Sequence, residues 1–379
     1  MLHVALVTSS YPDGAPGSEA AGSFVADFAQ ELSTRLRVTV LAASSAESVD
    51  GGGRITVRRF AVPRMPLSLL RPVNPFDWLP IIRTLECGRK ALQSFAAADP
   101  PDHILALWAI PGGYWAESIA RQQDLPFSVW ALGSDIWGLG KIPLVRAKLR
   151  SILRRADYRF ADGLQLAADV EAICGQSCEF MPSTRQLPRP ANLDVAAAAP
   201  YKLAFLGRWH RNKGIDLLLD ALRQLADEDW EKISEVRING GGPLVETVNA
   251  AVKELSGRGR PVVLGGYLDK QQAADLIAWA DYLLLPSRVE SIPVIFSDAL
   301  QLLTPIIASP VGDLPRLQEK FQSGIIASGT SALAFADALR SALNKPASSF
   351  QSKIEKARSE FDLASIVTQF LGQTGLLAS

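Results

Sequence analysis

The chain has 379 residues, more than one hydrophobic core usually supports, so two domains are expected. Its 39 basic and 39 acidic residues cancel, which excludes the electrostatic footprint of a general nucleic-acid binder and makes any anion binding local. The three cysteines, Cys87, Cys174 and Cys178, are too few and too odd in number for a disulfide framework and fit a reducing, cytoplasmic compartment. Cys174 and Cys178 have no other Cys or His close in sequence, so they read as inert thiols and no metal site is expected.

The opening "MLHVALVTSSYP" lacks a basic n-region and a small-residue cleavage site, and its apolar run stops at Thr8, so it reads as a buried first strand. No later run reaches eighteen apolar residues, which leaves attachment to a membrane surface as the one membrane role open. Strand Val4 to Thr8 leads into a glycine-rich turn, "PDGAPGSEAAGS", holding Gly17 and Gly22, and then a helix from about Phe24 to Arg35. Further strands are expected at Val38 to Ala42, His103 to Leu107, Phe127 to Ala131 and Tyr158 to Ala161. The pattern collapses in "MPSTRQLPRPANLDVAAAAP", whose prolines and small residues are linker chemistry. A second set follows at Leu203 to Leu206, Glu235 to Ile238, Val262 to Leu264, Tyr282 to Leu285 and Pro305 to Ala308. Strands alternating with helices predict an α/β chain of two doubly wound parallel-sheet domains. The expected bounds are 1–182, a linker at 183–200, a second domain at 201–355, and a C-terminal helix at 356–379 returning to the first domain.

In such sheets ligands sit at the carboxyl ends of strands, where helix N-termini offer unpaired N–H groups. The turn "FLGRWHRNKGIDLLLDAL" lies at such an end. Arg208 and Lys213, with Gly207 and Gly214 permitting close backbone approach, suit a diphosphate; a solvated basic loop is the plain alternative. The next strand runs into "NGGGPL", where Gly240, Gly241 and Gly242 bare the backbone. Strand Tyr282 to Leu285 runs into "PSRVESIPVIFSDAL", placing Ser287 and Glu290 at the strand end and Asp298 eight positions on. Cations, bare backbone and carboxylates on three successive strand ends are equipment for a sugar nucleotide.

In order and spacing, "GRWHRNKGIDLLLDAL", "NGGGPL", "LGGYLDKQQAADLIAWADYLLLPS" and "ESIPVIFSDALQLLTPIIASPVGDLPRL" resemble the retaining glycosyltransferases of family 4. That resemblance implies the GT-B fold, two Rossmann-like domains facing across a cleft, and hexose transfer from a nucleotide-diphosphate sugar of UDP or GDP type, with no cofactor and no metal. It implies Arg208, Lys213 and Glu290 as catalytic residues, the two cations on the diphosphate and Glu290 on the sugar hydroxyls. Around the donor it implies Gly17, Gly22, Gly207, Gly241, Gly242, Ser287, Ser291, Ile292 and Pro293. The backbone of Tyr267 and Leu268 would meet the nucleobase, and Asp298 the ribose, although the family pattern usually has Glu there.

The N-terminal half departs further. "VWALGSDIWGLG" has Leu132, and "DHILALWAIPGG" has Leu105 and Leu107, where the family often carries histidine. His3, His103 and His210 are the chain's three histidines, and the first two read as structural. In front-face retaining transfer the leaving phosphate can take the acceptor proton, so an imidazole is not obligatory. Candidates on the acceptor side are Trp108, Gly133, Ser134 and Asp135; Asp135 either orients a hydroxyl or caps the following helix. Trp115, Trp130 and Trp137 lie nearby, as stacking faces or as core. The acceptor is expected to be a glycan or a lipid-linked one. Two basic and apolar segments, "RMPLSLLRPVNPFDWLPIIRTLECGRK" and "KIPLVRAKLRSILRRADYR", suit peripheral contact with an anionic leaflet or are simply solvated faces. Two rivals remain: a non-catalytic sugar-nucleotide or glycan-binding protein, and an epimerase or phosphorylase using the same strand ends. Donor hydrolysis with a Glu290→Ala control separates the first, and product analysis the second.

Overall fold

The computed structural model describes residues 1–13, 22–190, 193 and 195–377. They form two compact units, one of residues 1–13, 22–182 and 366–377 and the other within Ser183–Ser365.

The first unit runs β1 (His3–Thr8), α1 (Ser23–Ser33), β2 (Arg37–Ser44), β3 (Ser48–Gly52), β4 (Ile55–Ala61), α2 (Trp78–Ala98), β5 (His103–Leu107), α3 (Gly113–Gln123), β6 (Phe127–Ala131), α4 (Pro143–Arg155), β7 (Tyr158–Ala161), α5 (Leu164–Cys174) and β8 (Glu179–Phe180). The sheet order is β3-β4-β2-β1-β5-β6-β7-β8, with Leu6 of β1 opposite Val40 on one side and Leu105 on the other. All pairings are parallel except β3 with β4. All six residues of β1 are buried, as helices on both faces of a parallel sheet require. Leu92 and Phe95 of α2, Trp115 and Ile119 of α3, and Leu149 and Ile152 of α4 share one core cluster over one face. The β3–β4 hairpin was not expected: β3 is exposed throughout, and an edge hairpin with little to bury carries no clear alternation.

The second unit runs β9 (Tyr201–Arg208), α6 (Ile215–Arg223), α7 (Asp227–Trp230), β10 (Ile233–Gly241), α8 (Val245–Gly257), β11 (Val262–Gly265), α9 (Lys270–Trp279), β12 (Tyr282–Leu285), α10 (Val294–Gln301), β13 (Ile306–Ala308), α11 (Leu314–Phe321), β14 (Gly324–Ile326), α12 (Ala332–Leu343) and α13 (Gln351–Arg358). Its sheet is parallel, in the order β11-β10-β9-β12-β13-β14. In α6 the buried Ile215, Leu218, Leu219 and Leu222 follow the helical repeat and seat the helix on the sheet.

The last helix, α14 (Leu363–Gln373), brings the chain back to the first unit. Phe370 packs edge-on to Phe28, with centroids 5.7 Å apart, and against His103 and Phe160, while Gln369 Nε2 donates to the Phe180 carbonyl at 2.9 Å. The segment read as a linker is docked and not free. The Ala196 N–H donates to Asp281 Oδ1 at 2.7 Å and the Leu187 N–H to Gln301 Oε1 at 3.2 Å, so the described residues after Pro182 group with the second unit.

The basic run in and after α4 finds structural partners. Arg150 and Arg154 donate to the Ile173 and Cys174 carbonyls at the C-terminus of α5, each at 3.0 Å, and Lys148 and Arg155 pair with the buried Glu117. These cations satisfy orphan helix carbonyls and one buried carboxylate. Cys174 and Cys178 are both buried, and burial pushes the Cys178 thiol up, so it is a poor nucleophile.

Candidate functional site

The strand order of the second sheet reverses between β9 and β12, which are parallel neighbours in space although β10 and β11 intervene in sequence. Such a switch point opens a crevice at the carboxyl ends of the strands. Arg208 ends β9 and Lys213 lies in the turn after it, while Ser287 and Glu290 come from the turn after β12, so the crevice is lined by the two groups whose chemistry the sequence singled out.

Glycine lets the turns meet. Gly214 lies at φ 69°, and a Cβ there would stand 1.8 Å from the Pro286 carbonyl oxygen. The same contact is tied by the Arg288 N–H to the Asn212 carbonyl at 2.8 Å and by Arg288 Nη1 to Asp216 at 2.6 Å. Gly312, at φ 54° in the turn after β13, braces the far side: its Cβ would fall 2.0 Å from the Ser291 carbonyl oxygen, which accepts the Asp313 N–H at 3.0 Å. Gly214→Ala is expected to cost more than the ~1–2 kcal/mol of an ordinary left-handed alanine, because the Pro286 peptide must also move. Urea unfolding of the variant checks this, with a wild-type midpoint as the contrary result.

With the turns so joined, Lys213 Nζ forms an ion pair with Glu290, and Ser287 Oγ lies 3.5 Å from the same carboxylate. Arg208 is exposed at the end of β9. His210 Nδ1 accepts the Asn212 N–H at 3.1 Å, so its ring caps the turn that carries Lys213. Ser291, Ile292 and Pro293 are buried directly ahead of α10, with the Ile292 N–H on Ser291 Oγ at 2.7 Å. Across β10, Gly207 gives its carbonyl to a tight approach by Gly240, and Gly242 packs on the Trp209 carbonyl. Tyr267 is half exposed after β11, and its ring lies 2.7 Å from where a Cβ on Gly241 would stand; Leu268 follows it. Only glycine at 241 leaves that ring in place.

Asp298 is a correction. Its side chain is wholly buried in α10, and Arg185 Nε and Nη2 donate to both its oxygens at 2.6–3.0 Å. A carboxylate held this way is the anchor of the segment after Pro182 and not an open acceptor for ribose hydroxyls. Gln301, one turn further on, holds the same segment through the Arg185 carbonyl at 2.5 Å. The sequence reading missed Arg185 because it sits in proline-rich linker chemistry. It also missed Gly312 and the Asp216–Arg288 tie.

Gly17 lies outside the described residues; in the first unit Gly22, at φ 108°, packs on the Ser10 carbonyl ahead of α1, where a Cβ would come within 2.7 Å. Trp108 holds the left-handed region at φ 63°, an uncommon conformation for a bulky residue, and is half-buried at the end of β5. Gly133 at φ 94° and the exposed Ser134 follow β6. Asp135 is corrected too: it is buried, and its carboxylate accepts the N–H groups of Ala109 at 2.6 Å, Ile136 at 3.1 Å and Leu132 at 3.3 Å. It ties the end of β5 to the turn after β6, and burial pushes its pKa up to about 6 despite those donors. Trp115 and Trp130 are core, and Trp137 Nε1 donates to Asp169 at 2.7 Å. Leu105 and Leu107 are buried within β5 and Leu132 is half-buried. His3 bonds Thr39 at 2.9 Å and His103 bonds Ser128 at 2.7 Å; both are buried, and burial lowers the His103 pKa to about 4. Each is a neutral core histidine.

Two parallel-sheet α/β units with these strand orders are the GT-B fold. Sucrose-phosphate synthase from Thermosynechococcus elongatus has a TM-score of 0.79 at 18% identity, covering 100% of this chain and 99% of its own. Anabaena HepE in complex with UDP has a TM-score of 0.70 at 17% identity, covering 100% of both chains. Residues 200–345, within this second unit, match the model of the family Glycosyl transferases group 1. Among curated relatives, a protein named as the teichuronic acid biosynthesis glycosyltransferase TuaC, of Bacillus subtilis (strain 168), is 26% identical over 63% of this chain. The D-inositol 3-phosphate glycosyltransferase of Corynebacterium glutamicum (strain R) is 32% identical over 43% of it. The matched stretches span 60% of the first relative and 38% of the second.

Proposed function

We propose that the chain is a retaining hexosyltransferase that moves a sugar from a nucleotide diphosphate to a glycan or lipid-linked acceptor in polysaccharide or glycoconjugate biosynthesis, in peripheral contact with a membrane. The observation that carries this reading is the Lys213–Glu290 pair at the switch point, with Arg208 exposed beside it and glycine backbone on the flanking turns. A diphosphate entering the crevice replaces water on Arg208 and shares the Lys213 ammonium with Glu290. The freed carboxylate oxygen then accepts a hydroxyl of the donor sugar.

As the bond from the anomeric carbon to the phosphate oxygen breaks, negative charge grows on the diphosphate, and the two cations stabilise it more than they stabilise the bound donor. The acceptor hydroxyl attacks from the same face and passes its proton to the departing phosphate oxygen. No side-chain base is needed, which suits a chain whose Leu105 and Leu107 are buried and whose His103 is neutral core. A UDP sugar is the first donor to try, since HepE, with the same fold, binds UDP.

A thermal-shift screen against UDP, GDP and their sugars tests the donor. A ligand at one hundred times its dissociation constant stabilises the unit that binds it by about 2.7 kcal/mol, and Glu290→Ala should retain the diphosphate response and lose the added response to the sugar. No response to any nucleoside diphosphate overturns the reading. A response without donor hydrolysis or transfer favours the non-catalytic sugar-nucleotide binder, which the absence of an acceptor-side imidazole also permits.

A further inference from the structure

In the first basic and apolar segment Met65 and Leu67 pack against the core, but most of the large apolar side chains from Leu69 to Ile82 are left exposed. Phe76 is 90% exposed, Val73 75% and Ile82 62%, and Trp78, Leu79 and Leu69 are each at least half exposed. Helix α2 therefore turns apolar side chains inward in its last turns and outward in its first. Leu92, Phe95 and Ala96 bury one side in the core, while Leu79 and Ile82 face out one turn apart.

This display is built. The buried Asp77 carboxylate accepts from Arg64 Nη1 and the Arg71 N–H, each at 3.0 Å, and from Asn74 Nδ2 at 3.2 Å. Asn74 Oδ1 takes the Phe76 N–H at 3.2 Å, and Trp78 Nε1 donates to the Pro72 carbonyl at 2.7 Å. The loop is thus fixed by its polar groups, and these hold its rings outward. Arg71 and Arg83 are exposed with no carboxylate within ion-pair distance among the described residues, and the local acids are Asp77, which Arg64 engages, and Glu86, which Arg89 and Lys90 engage.

We propose that this face, the loop Leu69–Trp78 with the first turns of α2, docks on the surface of a bilayer rich in anionic phospholipid. Phe76, Leu79 and Ile82 enter the boundary between headgroups and acyl chains, and Arg71 and Arg83 meet lipid phosphates. A projecting apolar tip with free guanidinium groups beside it suits a soft, negatively charged surface that closes around it. Tryptophan at the same level is at home in that boundary. Among the described residues no helix is long and apolar enough to cross a membrane, so this contact lies on the surface. The inference deepens the membrane contact in the reading above and does not depend on the donor.

Co-sedimentation of the full chain with vesicles of phosphatidylcholine alone, and with one third phosphatidylglycerol, tests it without any sugar nucleotide. Wild type should bind the anionic vesicles and release with salt, leaving the neutral ones. The triple variant Phe76→Ser/Leu79→Ser/Ile82→Ser and the charge variant Arg71→Glu/Arg83→Glu should each bind about tenfold more weakly or worse, at wild-type melting temperature. Leu333→Ser, an exposed leucine of the second unit, should bind as wild type. Should the triple variant fail to fold, Phe76→Ser alone and the charge variant carry the test. No binding by wild type, or equal binding by these variants, overturns the inference. So does a wild type that self-associates in light scattering while ignoring vesicles, because the face would then belong to a second copy of the chain. Failure here leaves nucleotide binding in the thermal-shift screen untouched, and failure there leaves this result standing.

Discussion

Lys213→Ala is expected to lower kcat by about 10²–10³-fold, the usual cost of removing one donor aimed at developing charge, while the donor KM rises much less. The asymmetry follows from where the charge is. The bound diphosphate already carries charge that Arg208, glycine backbone and water can share, but the extra charge of the transition state falls on the oxygen nearest Lys213 in the proposed pose. Glu290 adds a second consequence. Its side chain is 16% exposed and pairs with Lys213, so the variant leaves a half-buried carboxylate that repels the diphosphate. Lys213→Ala/Glu290→Gln should therefore bind nucleoside diphosphate better than Lys213→Ala alone without regaining turnover. Steady-state kinetics with the donor found by thermal shift, and titration of the diphosphate, check the two halves. A fall confined to KM would mean that Lys213 holds the ground state only.

Asp298→Asn should be the most destabilising of the conservative substitutions in the second unit, by about 3–5 kcal/mol, because it leaves the Arg185 guanidinium without its counter-charge in a largely buried site. At ~2–4 °C per kcal/mol for a unit of this size, the second unit should melt roughly 10 °C lower. Asp298→Glu is also expected to destabilise, by about 1–3 kcal/mol, since the added methylene has no room where the aspartate is wholly buried. Arg185→Met/Asp298→Leu removes both charges together and should regain much of the loss. Differential scanning calorimetry, which resolves units that melt separately, reads all three. An open ribose acceptor gives the opposite pattern: Asp298→Glu tolerated, and Asp298→Asn changed only in donor affinity.

Much of the fold was legible because burial on both faces writes itself locally. Strands β5, β6, β7 and β12 fall where their apolar runs begin and end, and β1, β2, β9 and β10 extend the expected runs by up to three residues at either end. The weak spots share one cause. In the hairpin β3 is an exposed edge strand and β4 beside it is mostly half-buried, so polar residues stand where an inner strand would repeat apolar ones. Likewise Gly214 announced close approach, but it needs its partner, the Pro286 carbonyl, before the approach has an address, and Gly312 gave no signal until the Ser291 carbonyl was seen against it.

The sequence by itself determined the alternation of strands and helices, the winding of two parallel sheets, and the kinds of side chain at each strand end, since these depend on neighbours within a turn or two. Tertiary structure decided which of those groups meet. Glu290 is 77 positions from Lys213, and Asp298 is 113 from Arg185, so no local pattern distinguishes one carboxylate from the other. The path of the chain does: it leaves Glu290 in the open turn after β12 and carries Asp298 inside α10 against the returning segment. A carboxylate's role follows from the water and the cation around it, and those are set by packing at long range.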